Sequence, residues 1–128
     1  MSPETAGWLD RARDSIKAAQ TLHEADLPAE AISRAYYAMF YCAKAMTVEE
    51  GKDLAKHSAI IAAFGHDFVA SGQLSSDLHK YLRQAFDERN RADYSLSAHP
   101  TAADAAEQIT HACDFLAAVE GFLEVGEG

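Results

Sequence analysis

The apolar residues of this chain recur three and four positions apart in five successive segments, and its three prolines stand at the openings of the first, second and fifth. That period places the apolar side chains of each segment on one side of a helix, which constrains the chain to bury helical stripes against one another. Composition agrees: 26 alanines stand against 14 valines, isoleucines and threonines together, a balance that favours helix over strand. The predicted fold class is therefore all-α, an up-and-down bundle of four to five helices. At 128 residues the chain suits one domain over residues 1–128. A hydrophobic fraction of 48% is enough for a packed core.

The joints are legible residue by residue. Ser2 followed by Pro3 reads as an N-cap with proline at the first helical position, opening a helix that runs to about Glu24. Asp26-Leu27-Pro28 restarts the chain, and the period continues to about Glu50, where Gly51 supplies a stop. A third segment spans about Lys56 to Ala70 with Ile60, Ile61, Phe64 and Phe68 on one stripe, interrupted by Gly65. Ser75, Ser76 and Asp77 offer capping oxygens to a fourth helix reaching about Asp93. Pro100-Thr101 with Asp104 opens a fifth, to about Leu123, which leaves a frayed tail over about 124–128.

Several function classes are disfavoured. No apolar run approaches the roughly 20 residues of a membrane span, and the charged N-terminal stretch lacks an export signal, so a cytoplasmic protein is expected. Cys42 and Cys113 form no metal-ligand pattern, and both read as small core residues. No Glu-x-x-His occurs, which speaks against a di-iron bundle; no metal or other cofactor is expected. There is no glycine-rich phosphate loop and no nucleophile elbow. The net charge of −9 looks unfavourable for nucleic acid, yet six of the nine excess negative charges fall in residues 101–128, and residues 51–100 are neutral. A local cationic site is compatible with that distribution.

Two helices break the amphipathic pattern. In the fourth, Leu78, Tyr81, Leu82, Ala85, Phe86, Arg89 and Ala92 share one face, so an arginine lies within an apolar stripe. Such a guanidinium needs a partner or a solvated cleft, and Asp93, four residues on, is the nearest carboxylate: a structural pair and a functional site are both open. In the second helix Ile32, Ala35, Tyr36, Met39, Phe40 and Ala43 form the core stripe, while Arg34, Tyr37, Tyr41 and Lys44 cluster opposite. Tyrosines and cations together suit a dimer contact or a stacked base, although helices covering both sides of a central one would place them equally well. His57 opens the third helix as a capping or core-edge histidine or a titratable group facing a cleft.

Three ordered segments, AISRAYYAMFYCAKAM, KHSAIIAAFGHDFVASGQL and LRQAFDERNRADY, resemble the small prokaryotic HEPN proteins over about residues 5–123. The resemblance implies an up-and-down helical bundle that homodimerises, with a polar motif from both copies at the dimer cleft. Many such proteins are metal-independent endoribonucleases, and many are toxins encoded beside a minimal nucleotidyltransferase antitoxin. Their catalytic pattern is an arginine, usually a polar residue next, and a histidine four to six positions on. Arg89 and Asn90 match, whereas Tyr94 stands where the histidine falls at the shortest spacing, and His99 lies ten residues beyond Arg89. The most similar subgroup commonly has this Arg-x-x-Ala-Asp-Tyr form. Arg89, Asn90, Asp93, Tyr94 and His57 are thus the implied catalytic set, with Arg34, Tyr37 and Lys44 as RNA- or nucleotide-binding residues. Tyrosine is a poor base at neutral pH, which leaves proton transfer to His57 or His99.

Overall fold

The computed structural model describes residues 1–97 and 99–127, and among these no strand occurs. The chain forms α1 (Pro3–Glu24), α2 (Pro28–Glu49), α3 (His57–Phe64), α4 (Ser76–Tyr94) and α5 (Ala102–Glu127), an all-α bundle. Ser2 caps α1 by accepting the Thr5 amide at 3.1 Å, and Ser75 caps α4 by accepting that of Asp77 at 3.2 Å. At the head of α5, Thr101 Oγ1 accepts the Asp104 amide at 3.1 Å while Asp104 Oδ2 accepts the Thr101 amide at 2.9 Å, so two orphan donors are satisfied reciprocally. The reversal between α1 and α2 takes Asp26 to φ 61°, a left-handed conformation that aspartate tolerates better than most residues.

The third segment departs from a plain helix. After Phe64 the chain widens into one π-helical turn, Gly65–Val69, and the His79 ring of α4 packs directly over Gly65. A Cβ there would lie 2.6 Å from His79 Nε2, so the position admits only glycine without movement. The fifth helix continues to Glu127, past the Leu123 end expected from its stripe; of the expected frayed tail, residue 128 lies outside the described residues.

α2 is the axis of the bundle, packed by α1, α3, α4 and α5. Its alanines Ala31, Ala35, Ala38, Ala43 and Ala45 are fully buried, and the small side chains let neighbouring backbones approach. An Ala38→Leu change would force about 1–3 kcal/mol of overpacking. Tyr36, Met39 and Met46 of α2 join Leu9, Ile60, Phe64, Leu82, Phe115 and Val119 in the core, each nearly or wholly excluded from water. Cys42 belongs to this core, but Cys113 is exposed, contrary to the sequence expectation: it sits one position beyond Ala112, off the buried stripe of α5. Among the described residues no helix is long and apolar enough to cross a membrane.

Candidate functional site

The apolar face of α4 is continuous through Leu78, Leu82 and Ala85 and then gives way to Arg89, whose side chain is 16% exposed. Its two terminal nitrogens are hydrogen-bonded, while Nε faces a carboxylate without completing a hydrogen bond among the described residues. Nη2 donates to Tyr37 Oη at 2.7 Å, Nη1 donates to Asn90 Oδ1 at 3.1 Å, and Nε makes an ion-pair contact with Asp93 Oδ2 at 3.0 Å. The Arg89–Asp93 pair is the one the four-residue spacing anticipates. Tyr37, by contrast, comes from α2, and its role as acceptor was not legible in either helix alone.

Aromatic rings surround the charge. The Arg89 guanidinium lies 5.6, 5.2 and 5.9 Å from the ring centroids of Tyr36, Tyr37 and Tyr94. Arg34, one turn before Tyr37, sits over the Tyr37 ring at 4.7 Å, so two guanidiniums flank one phenol. Two carboxylates balance these two arginines, Asp93 beside Arg89 and Glu30 on the wall of the adjoining cleft. Beside this cluster, Arg34, Asp93 and Tyr94 line a cleft of about 610 Å³ between the start of α2 and the end of α4. Tyr94 is 76% exposed at its mouth.

His57 enters the cluster from the start of α3. Its Nδ1 is 2.7 Å from Tyr36 Oη, and its ring stacks on Phe40 with centroids 4.0 Å apart. Burial pushes the Tyr36 phenol well above its ordinary value, so it stays protonated. Burial, and then the positive charge of Arg89, push His57 below its ordinary value, which favours the neutral imidazole. A neutral ring accepting from Tyr36 at Nδ1 carries its proton on Nε2; the other tautomer donates to Tyr36 and frees Nε2 as a base.

Of the sequence-derived candidates, Asn90, Asp93, Tyr94 and Tyr37 contact Arg89, Arg34 contacts Tyr37, and His57 joins them through Tyr36. Lys44 does not join them. It is only 9% exposed, its ammonium donates to the Leu54 carbonyl, and it lies 5.8 Å from the Trp8 ring. The helical wheel put it on an outer face, but α2 has no outer face at that height. His99 is exposed beyond α4, in a separate cleft with Glu88, Arg91 and Asp104. Among the described residues no group of three or more His, Cys, Asp or Glu side chains is placed to hold a metal ion.

The chain is similar to known proteins over nearly its whole length. The profile of the HEPN domain matches residues 5–122. A UPF0332 protein of Thermotoga maritima is 32% identical over 117 residues, covering 91% of this chain and 89% of the relative. A Methanocaldococcus jannaschii protein that bears the name putative toxin is 30% identical over 121 residues, covering 94% and 90%. The crystal structure of TT1696 from Thermus thermophilus superimposes with a TM-score of 0.81 at 23% identity, covering 94% of this chain and 99% of that one, a likeness of fold.

Proposed function

This chain belongs to the HEPN domain family, and on that premise we propose that it is the toxin-like member of a pair with a minimal nucleotidyltransferase, acting on RNA as a cytoplasmic homodimer. The observation that carries this reading is the Arg89 guanidinium, fixed by Tyr37, Asn90 and Asp93 and flanked by the cleft at Tyr94. A phosphate needs a cation that is already oriented, and these three partners remove most of the freedom Arg89 would otherwise lose on binding. Exposed Tyr94 supplies a face on which an unstacked base can lie.

Cleavage without a metal uses the ribose 2′-hydroxyl as nucleophile: the O2′–P bond forms, the P–O5′ bond breaks, and O5′ takes up a proton. In this reading Arg89, duplicated across the dimer, stabilises the developing phosphorane charge. His57, paired with Tyr36, handles the protons in place of the histidine that Tyr94 replaces. The test is Arg89→Ala in the full chain: retained fold with loss of RNA cleavage and of toxicity supports the reading, and unchanged activity removes it.

One observation favours a second reading. Tyr94 exposes its phenol at the cleft, where a partner enzyme can reach it. The chain would then be a non-catalytic dimer that binds and regulates the nucleotidyltransferase, and Tyr94 Oη would take a nucleotidyl group from a nucleoside triphosphate, the phenol losing its proton and pyrophosphate leaving. Co-purification with the product of the adjacent gene, no cleavage of any RNA, and a mass increase lost in Tyr94→Phe would identify it.

A further inference from the structure

The Tyr37 ring whose hydroxyl accepts from Arg89 is the first of a row. Its centroid lies 5.8 Å from that of Tyr41, one turn further along α2, and Tyr41 lies 5.7 Å from Trp8 on α1. All three rings are half-buried, so each keeps part of its surface in contact with solvent. Guanidiniums interleave with them: Arg34 sits over Tyr37 at 4.7 Å, and Arg11 of α1 sits over Trp8 at 5.4 Å and over Tyr41 at 5.8 Å. The Lys44 ammonium lies 5.8 Å from the Trp8 ring. Asp93 and Glu30 offset the charge at the Arg89 end of the row. At the Trp8 end Arg11 is exposed and makes no ion pair among the described residues, its neighbour Asp10 being taken by Arg13 at 2.8 Å. Glu4, one turn before Trp8, and Asp14, one turn after Arg11, bound this cationic stretch on α1.

A single strand of nucleic acid has the same alternation, a flat base and a phosphate at every step. A guanidinium seated on a ring keeps N–H donors for a phosphate, and rings and guanidinium planes both stack bases. One cation over one ring is an ordinary surface contact. What distinguishes this row is its continuity with Arg89 through Tyr37. Arg34 to Tyr41 spans seven residues of α2, about 10 Å at the helical rise, or about three nucleotides at the stacked spacing of about 3.4 Å. We propose that Tyr37, Tyr41 and Trp8, with Arg34 and Arg11, form an extended subsite for single-stranded RNA, which carries the nucleotides flanking the phosphate held by Arg89. The subsite rests on the RNA reading above and adds a direction and a length to it: the strand leaves the Arg89 cleft along α2 toward the start of α1.

Trp8 is the single tryptophan, so its fluorescence reports occupancy of the far end of the row. The full chain is titrated with 2′-O-methyl oligoadenylates, which lack the nucleophile, as a dinucleotide and as a hexamer. The hexamer should bind about tenfold more tightly and quench Trp8, and the dinucleotide should leave Trp8 unquenched. Tyr41→Leu, which keeps an apolar contact and removes the stacking ring, should weaken hexamer binding about tenfold with dinucleotide binding unchanged. Arg11→Gln should reduce the slope of log affinity against log salt by about 0.7. Lys17→Gln, which removes the same charge from the opposite side of α1, should leave hexamer binding unchanged. Equal affinity for the two lengths, a silent Trp8, or equal effects of Arg11→Gln and Lys17→Gln would overturn the subsite; cleavage still lost in Arg89→Ala would then leave the Arg89 reading standing. Failure of both oligomers to bind removes the two together. Sedimentation velocity of the Arg11→Gln and Tyr41→Leu variants is read alongside, and a fall to monomer would overturn the subsite by assigning the row to a contact between copies of the chain.

Discussion

Arg89 on α4 donates to the Tyr37 hydroxyl on α2 at 2.7 Å, a contact that joins residues 52 positions apart and sets the direction in which the guanidinium points. Asp93 and Asn90 hold the same group from within α4. Intrahelical partners tether the charge, and the interhelical one aims it.

Tyr37→Phe separates aiming from tethering. The ring and its contacts with Arg34 persist, and only the acceptor for Arg89 Nη2 is lost. Stability should fall by about 1 kcal/mol, while RNA affinity falls several-fold because Arg89 is no longer oriented. Urea unfolding and filter binding read the two effects separately; equal affinity for wild type and variant would show that Tyr37 does not orient the site.

Arg89 and Asp93 together separate stability from function. The carboxylate is 30% exposed, so Asp93→Ala alone should cost only about 0.5–1 kcal/mol. The double variant Arg89→Met, Asp93→Leu should be neutral or more stable, yet inactive in toxicity and RNA-binding assays. A double variant that keeps activity would reduce the pair to a structural contact.

Gly65→Ala tests the close packing of His79 on the π-helical turn. A methyl group at Gly65 meets the His79 ring, and we expect a loss of about 1–3 kcal/mol. Combining it with His79→Ala should recover part of that loss, so a double-mutant cycle should give clear coupling. Strict additivity would mean that another contact requires the glycine.

Acid sensitivity should originate in two histidines. Burial, and then Arg89, hold His57 below its ordinary value of 6.5; burial, and then Arg83, do the same for His79. The unfolded chain therefore takes up these protons first as pH falls, so the stabilisation is complete above about pH 6.5 and is lost progressively as pH drops through the folded values. Unfolding free energy should be lower at about pH 5.5 than at about pH 7.5, and the His57→Gln, His79→Gln variant should flatten that difference. An unchanged slope would place the titration elsewhere.

Helix boundaries and stripes were legible because the three- and four-residue period, the prolines and the capping hydroxyls are local properties. Arg89 stood out for the same reason: a charge on an apolar stripe is visible from spacing alone. Tyr36 was correctly placed in the core, but its hydrogen bond to His57 was not, since nothing local brings α3 onto that ring. Gln108, a buried polar residue of α5, escaped notice altogether. Its only signal was a position flanked by the buried Ala105, Ile109 and Ala112 of α5.

By itself the sequence determined five helices, their starts, and which residues lie on which side of each axis. The tertiary structure decided what occupies each side. Lys44 lies on the polar side of α2 and is nonetheless buried against Trp8 and Leu54, while Cys113 adjoins an apolar stripe and is exposed. The reason is geometric: the helical period fixes an angle about one axis, but burial depends on whether a second helix stands at that angle. For α2 one stands on nearly every side, and the cluster around Arg89 exists because the face of α4 that carries it meets α2 at Tyr37.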